Sequence, residues 1–180
     1  MLSRHPATLL LALGLGPLLF CGLPRAASAA LSVEGAPLVP LRGSAPVTVV
    51  MHASYDLRGA LRKLPTSVDA GPVVRLAIER VKAPSGATIR VFVNLPNATA
   101  DTPTTDFHYV GSMTSFEDPA PDSPGDDFLL DAGRAFKRLK KSDRLLLGDN
   151  VSVTLVLEPG TAGAEVPIPV ERVALSIEGQ

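Results

Sequence analysis

Short runs of branched aliphatic residues, each closed off by proline or glycine, constrain this chain more than any other feature. The clearest is Thr88-Ile89-Arg90-Val91-Phe92-Val93-Asn94, where Ile89, Val91 and Val93 fall on one side of a two-residue repeat. Branched side chains are stiff at χ1 and pack well on a pleated surface, so such a run favours a strand. Pro46-Val47-Thr48-Val49-Val50-Met51 has the same character, as do residues 72–81, 106–113, 150–158 and 170–177. The segments between them carry turn chemistry, as in Lys82-Ala83-Pro84-Ser85-Gly86 and Pro159-Gly160. With 17 prolines and 15 glycines among 180 residues, no run escapes punctuation for long.

One segment reads as helix. Asp131 is placed to cap residues 132–141, with Phe136 and Leu139 three apart and facing a core. Lys137, Arg138, Lys140 and Lys141 would face water and suit the negative C-terminal end. Residues 55–70 read as a long loop or a single helical turn. Residues 117–127, acidic and rich in proline, read as a solvated, mobile loop. In the strand expected over 106–113, Phe107, Tyr109 and Gly111 would share a face. Six or seven short strands with one short helix imply a mainly β protein, an antiparallel β-sandwich of jelly-roll-like type. The sandwich domain would occupy residues 46–180, and residues 30–45 would form an extended lead-in strand or tether.

The first 29 residues have a different character. Arg4 and His5 open them, an apolar run follows, and Ala27-Ser28-Ala29 matches the small-residue signature of a cleavage site. They are expected to be a signal peptide cut near Ala29, making the protein secreted or periplasmic in a bacterium. The apolar run is too short for a stable membrane span. Cys21 is the only cysteine, and Phe20 occupies the position where a lipidated cysteine would need a small neighbour. Losing Arg4 and Arg25 leaves 15 basic against 18 acidic residues, a net charge of −3. That balance gives no electrostatic footprint for nucleic acid or for an anionic membrane. A cysteine-free domain of about 150 residues can bury a sufficient core without disulfides.

Reactive constellations are sparse. A metal site would draw on His52 and His108 with Met113 as a further ligand, but no ligand spacing links them, and ordinary strand or loop histidines explain both. Asp126 and Asp127 imitate a carboxylate pair, yet they adjoin Gly125 in an acidic stretch where solvated charge is the commoner role. Neither a G-x-S-x-G elbow nor a glycine-rich phosphate loop occurs. The basic run 137–141 has no interleaved aromatics of the kind that stack on bases. Asn97-Ala98-Thr99 and Asn150-Val151-Ser152 match the glycosylation triplet, which matters only in a eukaryotic secretory host. The chain is therefore expected to be no enzyme and to need no cofactor.

The order of segments from Thr88 onward resembles the C-terminal domain of plant polyphenol oxidases, named for its Lys-Phe-Asp-Val motif, and its counterparts in bacterial tyrosinase-like proteins. Thr88-Ile89-Arg90-Val91 stands at the motif. Asp106-Phe107-His108-Tyr109-Val110-Gly111-Ser112-Met113 takes the place of a Glu-Phe-Ala-Gly-Ser-like strand, and Val153-Thr154-Leu155-Val156-Leu157-Glu158-Pro159 that of a Val-Thr-Leu-Val-Pro strand. The resemblance covers roughly residues 72–178. It implies a β-sandwich that shields a type-3 copper oxidase domain, with an apolar side chain able to plug the entrance. The six histidines of a dinuclear copper site exceed the three in this chain. The expectation is thus an exported, non-catalytic accessory module acting in trans on a tyrosinase-like copper oxidase. Phe107, Tyr109 and Phe116 are the partner-facing candidates, each with core packing as its plainer role. A structural or adhesive β-sandwich of the bacterial envelope is the alternative.

Overall fold

The two-residue repeats read in the sequence become the inward faces of two sheets. A computed structural model of the chain describes residues 31–37, 39–67, 71–161 and 165–179. The signal segment expected over residues 1–29, with Cys21, lies outside the described residues. The elements in order are β1 (Leu31–Gly35), β2 (Val47–His52), α1 (Tyr55–Lys63), β3 (Val73–Val81), β4 (Thr88–Val93), β5 (Tyr109–Thr114), β6 (Asp126–Asp131), α2 (Gly133–Lys141), β7 (Asn150–Leu157) and β8 (Arg172–Glu178). They form two four-stranded sheets, ordered β1-β8-β3-β6 and β2-β7-β4-β5. Every pairing is antiparallel. Each sheet draws strands from both ends of the chain, which is the strand order of a jelly roll. The expected mainly β sandwich is therefore the fold.

The core lies between the sheets. Val74, Leu76 and Ile78 of β3 and Val173, Leu175 and Ile177 of β8 meet Ile89, Val91 and Val93 of β4 and Val151, Val153 and Leu155 of β7 in one buried cluster. The lead-in contributes to it: β1 pairs along its full length with β8, and Leu41 is fully buried, exchanging both backbone hydrogen bonds with Ile168. Phe136 and Leu139 of α2 are fully buried, as their spacing predicts. Asp131 accepts the Gly133 N–H at 2.9 Å, so it caps α2 from two residues before the helix.

Four local expectations are corrected. Residues 55–63 form a second helix, where a loop or single turn was expected. The Ser54 hydroxyl caps it by accepting the Leu57 N–H at 3.2 Å, and Leu57 and Leu61 are fully buried. Residues 126–131, divided in the sequence between an acidic loop and the approach to α2, are an edge strand paired with β3. Phe107 stands in the turn before β5 rather than in a strand, and β5 carries one extra residue, Val110, between the pairs Phe92–Tyr109 and Val91–Gly111. Lys137 is buried, not facing water.

A second irregularity governs how the edges close. Between the pairs Ile78–Phe128 and Val81–Asp126, β3 also holds one residue more than β6. Arg80 takes φ 55° there, and its N–H is satisfied by the Asp127 carboxylate at 2.9 Å. Gly125 sits against this bulge at φ 91°. A Cβ on it would lie 2.9 Å from the Arg80 carbonyl carbon and from the Val81 carbonyl oxygen.

Candidate interaction surfaces

The histidines and methionine considered for a metal are set apart: His52 on β2, His108 in the turn before β5, and Met113 near the other end of β5. His52 ends β2 opposite Asn150. His108 lies beside the end of β4, with Nδ1 2.8 Å from the Val93 carbonyl oxygen. Met113 is buried opposite Ile89, at the other end of β4. Among the described residues, no three His, Cys, Asp or Glu side chains come together as a metal site requires. Asp126 and Asp127 have separate structural partners: Asp126 accepts from the Ser115 hydroxyl at 2.8 Å and Asp127 accepts from Arg80 N–H.

The three aromatic candidates also part company. Tyr109 packs its ring against Phe92, with centroids 5.5 Å apart and planes at 58°. Its hydroxyl is 2.7 Å from that of Ser112, so its main role is local packing. Phe107 is partly exposed, and the Arg144 guanidinium carbon lies 4.9 Å from its ring centroid. Phe116 is 84% exposed, just past the far end of β5. The length of that strand, about 20 Å at 3.3 Å per residue, separates Phe107 from Phe116, so the two cannot form one plug. Phe116 and Phe128 line a shallow recess of about 330 Å³ between the edge strands β5 and β6, floored with Thr114 and rimmed by Glu117, Asp126 and Asp127.

The outer face of the β2-β7-β4-β5 sheet is covered in part, with Val50 of β2 left 60% exposed. Phe92, Ala98 and Val156 form a small buried cluster there, with Leu95, Ala100 and Tyr109 packed on it. Thr154 holds the covering loop by donating to the Leu95 carbonyl at 2.9 Å. Arg90 holds it further along, donating to the carbonyls of Ala100 at 3.2 Å and Thr102 at 3.4 Å and pairing with Glu158. Its side chain is only 16% exposed, so these charge-assisted bonds are poorly replaced by water. Arg90→Ala is expected to destabilise the fold by about 2 kcal/mol. Hydrogen exchange should rise first in residues 97–105, and unchanged exchange there would show that the loop is held by other contacts.

The outer face of the opposite sheet is a lattice of ion pairs. Arg75 pairs with Glu178, Arg80 with Glu171, and Arg172 with both Glu34 and Glu79. The Arg172 guanidinium is held above its ordinary pKa by Glu34 first and Glu79 next. The partners of this lattice lie far apart in the chain; only the even spacing of Arg75 and Glu79 in β3 and of Arg172 and Glu178 in β8, which puts each pair on one face, hinted at it.

The architecture defines the class of protein as a jelly-roll β-sandwich, and the solved structures it is similar to include plant polyphenol oxidases. Recombinantly expressed latent aurone synthase, a polyphenol oxidase, matches with 18% identity and a TM-score of 0.46 over 77% of this chain and 25% of its own. Latent apple tyrosinase matches with 14% identity and a TM-score of 0.39 over 84% of this chain and 26% of its own. The chain thus spans about a quarter of the length of the proteins it matches. Neither a family model nor a curated protein matches it. Among the described residues no helix is long and apolar enough to cross a membrane.

Proposed function

We propose that this chain is an exported, non-catalytic accessory module that docks in trans on a tyrosinase-like copper oxidase and covers the approach to its metal site. The order of segments from Thr88 to Glu178 suggests the partner, and the exposure of Phe116 carries the docking. A phenylalanine left 84% in water beside a half-buried second ring costs solvation that a partner would recover. The acidic rim of Glu117, Asp126 and Asp127 around that recess would set orientation more than affinity.

The purified chain is titrated into a bacterial tyrosinase-like oxidase while oxidation of a catechol is followed. Saturable inhibition is expected. Phe116→Ala should raise the half-inhibitory concentration about 30-fold, the loss of a central aromatic anchor worth about 2 kcal/mol. Tyr109→Phe should leave it unchanged. Absence of both inhibition and a complex by sedimentation would favour the envelope-structural reading instead.

A further inference from the structure

The near-neutral charge of the whole chain hides a segregation that the fold creates. Residues 55–63 and 133–149 carry nine Lys and Arg against three Asp, a net of +6, while the rest holds eight against fifteen, a net of −7. These two segments are brought together. Lys140 at the end of α2 donates its ammonium to the Arg62 carbonyl at 2.7 Å and to that of Leu64, capping the C-terminal end of α1. Arg62 in turn donates to the Leu147 carbonyl at 3.0 Å, and Arg58 reaches Gly148 and Asp149 in the same turn.

The partners chosen by these cations matter. On the sheet face every arginine just described meets a carboxylate. At the helical end Arg58 meets Asp149 and Arg134 meets Asp131, but Arg62, Arg138 and Lys140 spend their donors on backbone carbonyls, and Arg144 lies over Phe107. Carbonyls satisfy hydrogen bonding without cancelling charge, so the pole stays positive. One of the nine cations, Lys137, is buried, but Lys63 and Lys141 are exposed. Two large side chains of the same two segments are exposed: Leu146, 83% exposed beside Leu147, whose carbonyl Arg62 holds, and Tyr55, 79% exposed. Tyr55, Arg58 and Arg62 share one face of α1 by their three- and four-residue spacing.

We infer that this helical pole docks on an anionic phospholipid surface. Lysine and arginine at such a surface meet lipid phosphates while their aliphatic stems lie along apolar groups. A leucine enters the acyl boundary, and a tyrosine settles at headgroup depth. A fluid headgroup layer accepts single protruding side chains without a matching pocket, whereas a protein interface requires packed complementarity. That favours lipid over an acidic protein. The inference stands independently of the copper-oxidase reading.

The test is co-sedimentation of the purified chain with vesicles of pure phosphatidylcholine and of phosphatidylcholine mixed with phosphatidylglycerol. Binding is expected only to the anionic vesicles and should weaken as salt is raised. The double variant Lys63→Glu/Lys141→Glu, at exposed positions outside the hydrogen-bonded core of the pole, should lose at least tenfold in affinity. Leu146→Ser should lose about fivefold with unchanged charge. Thermal melts establish that both variants remain folded. Equal binding to both vesicle types, or none to either, would overturn the inference. So would anionic-vesicle binding that neither variant weakens, which would place the lipid contact elsewhere on the chain.

Discussion

Phe136→Ala is expected to lower the unfolding free energy by about 4 kcal/mol. Phe136 is fully buried in the main core and is one of its largest side chains. Truncation loses the transfer free energy of the ring and leaves a void that a two-sheet core can only partly close. The helix that carries it has nine residues, too few to persist without tertiary packing. The same substitution should therefore loosen the Lys140 link to α1 and disorder the basic pole. Urea denaturation followed by far-ultraviolet circular dichroism gives the loss in stability, with Phe136→Leu as the comparison expected to cost less than about 1.5 kcal/mol. A loss below about 1 kcal/mol for Phe136→Ala would mean that α2 does not pack as described.

Gly125→Ala is the second large effect, expected at about 3 kcal/mol although only one methyl group is added. Two costs coincide. The backbone at φ 91° is a conformation that L side chains rarely adopt, and the new Cβ would sit 2.9 Å from backbone atoms of Arg80 and Val81. Those atoms belong to the β3 bulge, which is itself pinned by the Asp127 carboxylate, so they cannot withdraw without breaking that bond. The outcome should be a lower midpoint in thermal unfolding together with exposure of the β6 edge, read as faster exchange of the backbone amides of Leu76, Ile78 and Leu130. By contrast, Gly148→Ala meets nothing within 4 Å and should be close to neutral. Similar behaviour of the two variants would contradict the close approach at Gly125.

Much of the sandwich was legible because three of the four strands in one sheet obey a simple rule. β2, β4 and β7 each bury alternate branched residues, and a two-residue repeat has no other comfortable solution. The edge was harder. β6 reads Asp-Asp-Phe-Leu-Leu-Asp, a composition poor in strand formers that becomes a strand only because β3 offers it hydrogen bonds. α1 carried a usable signal, a serine cap followed by Leu57 and Leu61 one turn apart, obscured by Gly59 and by its basic residues. The face expected to join Phe107, Tyr109 and Gly111 fails twice: Phe107 lies in the turn before β5, and the extra residue Val110 shifts the alternation between Tyr109 and Gly111 without any mark in the sequence.

The candidate surfaces divide in the same way. Phe116 could be named from the sequence as a partner-facing candidate, but with core packing as its plainer role; the fold decided that its ring stays 84% exposed. The fate of the cations was not readable. Arg172 finds Glu34 across 138 positions of chain, and Lys140 finds the end of α1 across 76. By itself the sequence determined which segments extend and which side of each turns inward, because backbone stereochemistry and apolar spacing act over a few residues. Only the tertiary structure decided which charges are cancelled and which are left to face outward. Electrostatic pairing acts through space, and the order in which strands enter the two sheets sets who is near whom.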